Sequence, residues 1–305
     1  MTREELNQKK HQEIVNEQRH ERRKKVTIII FKLSFVLIVS FILFYLYTTY
    51  ISSKLISVKE ERIIDKNIPS NFSGLKVVHF SDLHFGTTVF YEETKRLVDE
   101  INHRKPDLII FTGDLIDEKY ELKTDEQEKI INILKKLDAS LGKYAVKGEE
   151  DEEDFDIIMK QSNFTILDNS YELIYDNSSH PILLVGLGSS LKDNLHIDNA
   201  FSYFDAPENN TNLYTIVCSH EPDSISNVLE HREANLYLAG HSHNGSIVLP
   251  FIGATYKEKG SMKYYDEFYK VDNTSLYISS GIGSNGPGFR LFCRPSFNFF
   301  RISSK

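Results

Sequence analysis

Acidic and histidine residues recur in five short groups along residues 82–243, and each group directly follows a short apolar run. The groups are Asp82 and His84; Asp114; Glu149 to Asp151; His220; and His241 and His243. Imidazole and carboxylate side chains are ligands that divalent Mn, Fe, Zn and Ni accept. Two such metals about 3.5–4 Å apart, bridged by a carboxylate, could neutralise a phosphate group and supply a nucleophile near neutral pH.

The apolar runs alternate with amphipathic stretches, and this pattern predicts an α/β fold with buried sheets. Helices are predicted at Tyr91–Arg104, Asp125–Leu137 and Phe155–Gln161. Because ligands bind outside the carboxyl ends of strands in open α/β sheets, we expect the five groups to meet in one cleft. The predicted strands are Leu75–Phe80, Leu108–Phe111, Tyr144–Val146, Ile182–Leu187, Leu213–Cys218 and Leu236–Ala239.

Each group is weak evidence when it is taken singly. A lone Gly-Asp usually marks a turn, and a lone histidine is more often a core or surface residue than a ligand. Glycines before Asp114 and His241 would allow the sharp turns that aim a ligand back at the sheet edge. The combination, in this order and at strand ends, favours a metal site.

The chain resembles the calcineurin-like metallophosphoesterases over about residues 73–300. That family carries D-x-H, G-D, G-N-H-D/E, an isolated H and G-H-x-H, and the matching segments are Asp82 to His84, Gly113-Asp114, His220 and Gly240 to His243. Residues 219–223 (SHEPD), 239–245 (AGHSHNG) and 290–295 (RLFCRP) are similar to a bacterial membrane-associated branch that includes hydrolases of lipid-linked pyrophosphates.

The resemblance implies a two-sheet β-sandwich flanked by helices, with two divalent metal ions and a phosphoester or lipid-linked phosphate substrate. Its implied ligands are Asp82, His84 and His243 for the first metal, and His220 and His241 for the second. Asp114 would bridge the two metals and take part in catalysis.

One family motif is altered, because Gly148 to Asp151 (GEED) stands where the family has G-N-H-D. Glu149 replaces an asparagine ligand and could still bind a metal, although it adds a negative charge. Glu150 replaces the histidine that assists the leaving group, and losing a positioned general acid commonly costs about 10²–10⁴ in rate. We therefore expect a hydrolase with Glu150 and Asp114 as catalytic residues, or alternatively a metal-binding pseudoenzyme that holds a phosphate-bearing ligand or partner.

Residues 26–50 contain a long apolar run, interrupted in 26–47 by Lys32 alone. A helix of this length spans the ~30 Å hydrocarbon core, which predicts a single-pass membrane anchor. Residues 1–25 carry eight Lys/Arg, whereas residues 51–70 carry four, so we expect a cytoplasmic basic tail and an exported domain at the cell membrane. Residues 51–72 are interpreted as a stalk and residues 73–305 as the catalytic domain.

The formal net charge of −8 argues against a general nucleic-acid binder, which needs a basic face. Cys218 and Cys293 lack zinc-finger spacing and are expected to pack as thiols. Arg290 and Arg294 could meet a phosphate group, although pairing with surface acids is the favoured interpretation.

Overall fold

The computed structural model describes residues 2–209, 212–249, 251, 253–254, 256–284 and 290–305. The chain divides into two compact units, Met1–Thr48 and Thr49–Lys305.

The first unit is built on one α-helix, α1 (Arg3–Leu46), of 44 residues. The basic amino-terminal segment is therefore helical as well as the apolar run. Large apolar side chains from Val26 to Leu46 are exposed along it. By length and composition, α1 can cross a membrane.

The second unit contains helices packed on two six-stranded sheets. The longer helices are α2 (Tyr91–His103), α3 (Thr124–Leu134) and α4 (Glu153–Gln161), and the short ones are α5 (Ile197–Ala200) and α6 (Ile225–Leu229). The strands are β1 (Ser57–Asp65), β2 (Leu75–Phe80), β3 (Leu108–Phe111), β4 (Lys143–Ala145), β5 (Thr165–Ile166), β6 (Ser170–Ile174), β7 (Ile182–Gly186), β8 (Thr215–Cys218), β9 (Leu236–Ala239), β10 (Val248–Leu249), β11 (Gly253–Ala254), β12 (Phe268–Val271), β13 (Thr274–Ile278) and β14 (Ser296–Ser304).

The two sheets are mixed, with orders β1-β14-β2-β3-β4-β5 and β12-β13-β9-β8-β7-β6. Alternation along the strands produces three apolar layers, since successive side chains point to opposite faces. Val77 and Ile110 meet side chains of the other sheet in the central layer, whereas their neighbours Val78 and Ile109 pack under α2 and α3. A third layer lies between the second sheet and α5 and α6. The predicted α/β sandwich flanked by helices is confirmed.

The predicted stalk is wrong over much of its length. Residues 57–65 form β1, which pairs in parallel with the carboxyl-terminal strand β14. Ile68 and Phe72 are buried in the central layer. The sequence pattern did not indicate β1 because the strand (SVKEERIID) contains several charged residues. An edge strand can contain them, since it need not be apolar on both faces.

Candidate metal centre

The predicted site residues meet at the carboxyl ends of β2, β3, β4, β8 and β9. β2, β3 and β4 run parallel in the first sheet, and β8 and β9 run parallel in the second. The carboxyl ends within each set therefore lie along one edge of their sheet. Asp82, His84, Asp114, His241 and His243 all have positive φ, between 40° and 66°. Such conformations are uncommon outside glycine and cluster at functional sites, where the surrounding fold imposes them.

Asp82, His84 and His243 form what we call the first cluster, and all three are buried. The Nε2 atoms of His84 and His243 lie 3.2 Å apart. Asp82 Oδ1 lies 4.0 Å from His84 Nε2 and 3.7 Å from His243 Nε2. One carboxylate oxygen and two imidazole nitrogens therefore converge on a single point.

Asp114, Glu149, His220 and His241 form the second cluster. His220 Nε2 lies 3.2 Å from Asp114 Oδ2 and 2.9 Å from Glu149 Oε2, and the other Glu149 oxygen lies 2.9 Å from His241 Nδ1. Asp114 Oδ2 is also 3.8 Å from His84 Nε2 in the first cluster. This oxygen therefore stands between the two clusters, which is the placement a bridging ligand requires.

The residues fit divalent cations on two counts. Although His220 Nε2 and Glu149 Oε2 approach each other, neither buried atom has an aligned hydrogen-bond partner among the described residues. Burial would raise the pKa of Glu149, but the two histidines of its cluster hold that pKa well below its usual range. Burial would likewise lower the pKa of His220, yet Asp114 and Glu149 raise it well above its usual value. The carboxylates thus stabilise positive charge in the site, and a bound cation would supply that charge.

The histidines of the second cluster are oriented from behind by backbone carbonyls. His220 Nδ1 lies 2.5 Å from Thr112 O, and His241 Nε2 lies 2.8 Å from Lys259 O. A carbonyl can only accept, so each of these nitrogens carries a proton. A cation that displaced the proton on the opposite nitrogen would meet a lone pair directed at the cluster.

The glycine before Asp114 is required for the reason predicted, and the one before His241 for a different reason. Gly113 has φ +91°, and a Cβ there would meet the backbone of Gly148 at 2.4 Å. Gly240 instead allows close approach, since its Cβ would lie 2.6 Å from that of Ser81.

Asp151 holds the loops after β3 and β4 together. Its Oδ2 accepts from the Asp114 and Gly148 amides at 2.7 and 2.9 Å, and its Oδ1 accepts from the Leu115 amide at 2.9 Å. Burial, and next the charge of Asp114, raise its pKa to about 7. The sequence matched Asp151 to a family motif but did not reveal this function, which depends on contacts 36 and 37 positions away.

Glu150, predicted to be catalytic, lies against the first cluster, with Oε2 3.2 Å from His84 Nδ1. Asp117, which the sequence analysis did not single out, lies beside both residues, with donor atoms within 4.8 Å of theirs.

Arg290 was expected to pair with surface acids, and that interpretation is wrong. Its guanidinium is fully buried and donates to Ser280 O at 2.6 Å and Ser284 Oγ at 3.0 Å. A third nitrogen lies 3.0 Å from His243 Nδ1. No local pattern in the sequence indicates this burial, because the enclosing carbonyls and His243 come from other loops.

The chain is similar to known proteins of one family. Residues 75–245 match the calcineurin-like phosphoesterase family. The chain is 29% identical over 267 residues to the uncharacterised metallophosphoesterase YkuE of Bacillus subtilis, covering 85% of this chain and 90% of the relative. It is 24% identical over 244 residues to a zebrafish transmembrane protein with a metallophosphoesterase domain, covering 75% of this chain and 53% of that relative.

Among solved structures, the calcineurin-like phosphoesterase YfkN of Bacillus subtilis is similar, with a TM-score of 0.41 and 12% identity, covering 74% of this chain and 90% of that one. The family match spans more than half of the sequence and includes every strand end that carries a candidate ligand. The chain therefore belongs to the calcineurin-like phosphoesterase family, whose members hydrolyse phosphoesters at a dinuclear divalent metal centre.

Proposed function

We propose that this protein is an active, membrane-anchored phosphoesterase whose exported domain works through the two clusters described above. The observation that carries the proposal is the position of Asp114 Oδ2 between two complete sets of donor atoms. The first cluster would hold one metal and the second cluster the other, with Asp114 shared. When bound, two divalent cations such as Mn, Fe, Zn or Ni would neutralise phosphate oxygens and supply a nucleophile near neutral pH.

The chain's own residues prepare the site for this chemistry. The backbone carbonyl contacts of His220 and His241 leave the opposite nitrogen of each ring facing the second cluster, where it could bind a cation. The His241 amide donates to both oxygens of Asp82, at 3.0 and 3.1 Å, and so fixes that carboxylate at the first cluster. These contacts hold the ligands in position before substrate binds, so less free energy is needed to order them for the reaction.

The effect of Glu149 on turnover distinguishes an active enzyme from the alternative pseudoenzyme. Its carboxylate contacts both histidines of the second cluster at 2.9 Å, which supports a role as a ligand. Its negative charge would weaken the attraction of the site for an anionic phosphate group. We expect Glu149→Asn, which keeps a ligand oxygen and removes the charge, to raise turnover by about tenfold, or ~1.4 kcal/mol of barrier.

The test measures Mn²⁺-dependent hydrolysis of an aryl phosphodiester by the full chain in detergent, with a lipid pyrophosphate in mixed micelles as second substrate. Glu152→Gln is the control, since that side chain is 75% exposed. No hydrolysis by the wild type would favour the pseudoenzyme. Lower turnover in Glu149→Asn would mean that the glutamate belongs to an adapted mechanism. Faster turnover of the lipid substrate would support a lipid-linked phosphate substrate.

The proposed topology places residues 51–305 outside the cytoplasm, on the evidence of the basic cluster Arg19–Lys25 before the apolar run. Protease added to intact cells whose envelope admits it should remove the domain and spare an amino-terminal tag. A cytoplasmic protein of the same cells serves as the control for lysis. Complete protection of the domain, with degradation of the tag, would reverse the orientation.

A further inference from the structure

The four histidines of the two clusters differ in what contacts the nitrogen that faces away from the site. His220 and His241 are backed by backbone carbonyls, and His243 by the guanidinium of Arg290. His84 is backed by a side-chain carboxylate, that of Glu150, at 3.2 Å. Carboxylates in this position fix the tautomer of a metal-binding histidine and strengthen it as a donor.

Glu150 is itself held in place. Its side chain is 5% exposed, and the same Oε2 that contacts His84 accepts from the Glu118 amide at 2.9 Å. The Glu150 amide donates to Asp114 Oδ1 at 3.1 Å, which ties its backbone to the second cluster. Oε2 is therefore directed at His84 and at the loop that carries Glu118.

We propose that Glu150 is a positioning residue for His84 and not the general acid of the reaction. It accepts the proton of His84 Nδ1 and so presents the Nε2 lone pair to the first cluster. The inference rests on the proposed function, because it takes His84 to be a metal ligand. It also assigns a function to the altered motif. The position that assists the leaving group in the family would instead orient a ligand of the first metal in this chain.

The test measures metal affinity rather than turnover. The full chain in detergent is stripped with a chelator and titrated with Co²⁺ alone, and binding is followed by visible absorbance. We expect Glu150→Ala to weaken first-cluster binding by about 10–100-fold. Glu150→Gln keeps an oxygen that can accept from Nδ1, so it should retain most of the affinity. Glu153→Gln removes an exposed charge from the same acidic stretch and should bind as the wild type does.

A double-mutant cycle shows whether Glu150 acts through His84. In a His84→Asn background, Glu150→Ala should cause no further loss of affinity, since the imidazole that it orients is absent. The proposal would be overturned if Glu150→Ala weakened metal binding as much in the His84→Asn background as it does alone. Wild-type affinity in Glu150→Ala would overturn it as well. A stoichiometry of three Co²⁺ that falls to two in Glu150→Ala would also overturn it, because Glu150 would then be a ligand. Absence of hydrolysis in every variant would contradict the proposed function and leave the Co²⁺ result intact.

Discussion

Replacing Asp114 with asparagine should reduce phosphodiester turnover by about 10³-fold, which corresponds to about 4 kcal/mol of barrier. The bound metal should fall from two equivalents to one at most. Asp114 Oδ2 is the atom that lies between the clusters, 3.8 Å from His84 Nε2 and 3.2 Å from His220 Nε2. Without its charge, the two cations would lose the anionic ligand that they are proposed to share.

Asparagine is the right replacement because the backbone at Asp114 has φ 59°, a conformation that Asn and Asp tolerate better than other side chains. The fold should therefore survive, and the loss of activity can be assigned to the ligand. Asp125→Asn is the matched control, since Asp125 forms an exposed ion pair with Lys129. Elemental analysis alongside the rate measurement provides the check. Retention of two metals in Asp114→Asn would remove Asp114 from the bridging position.

Three buried strands were predictable from sequence to the residue, and β4, β7 and β8 to within one or two residues. β2, β3 and β9 match their predicted bounds, because short and mainly apolar runs are accommodated best where both faces of a strand are covered. The carboxyl ends of these strands then indicated where polar side chains would gather. The gathering of candidate ligands at each sheet edge follows from these two facts, whereas the two-sheet arrangement that joins the edges was implied by the family resemblance.

Features that depend on distant partners were not predictable. β1 pairs with β14, with Ser57 opposite Ser296, and neither strand was anticipated. The sequence placed Glu150 at a motif position but could not say where its carboxylate points. That direction is set by the Glu118 amide and by His84, on two other loops.

Replacing Asp151 with alanine should lower the stability of the second unit by about 3–6 kcal/mol. Three amide donors, those of Asp114, Leu115 and Gly148, would lose their acceptor in a buried place. Each unsatisfied buried donor costs about 1–3 kcal/mol, less whatever rotation or water recovers. For a unit of this size, the change corresponds to a decrease of roughly 10 °C in Tm.

Asp151→Asn should fall between the wild type and alanine. Its amide has one acceptor oxygen where the carboxylate has two, and its NH₂ group would face a backbone N–H, so one or two of the three hydrogen bonds are lost. Near-UV circular dichroism of the metal-free chain in detergent is a suitable measurement, because the chain has 16 Tyr and no Trp. Glu153→Ala, an exposed acid two positions away, is the control.

A measurement of metal affinity distinguishes the effect of Asp151 on these loops from its effect on the stability of the whole unit. Below the lowered Tm, Asp151→Ala should still bind both metals more weakly than the wild type, because Gly148 and Asp114 would no longer be tied to one carboxylate. The proposed ligands Glu149 and Asp114 would then no longer be held at a fixed spacing before the metal binds. A Tm within about 2 °C of the wild type, with unchanged metal affinity, would show that other contacts hold these loops together and that the buried carboxylate is dispensable.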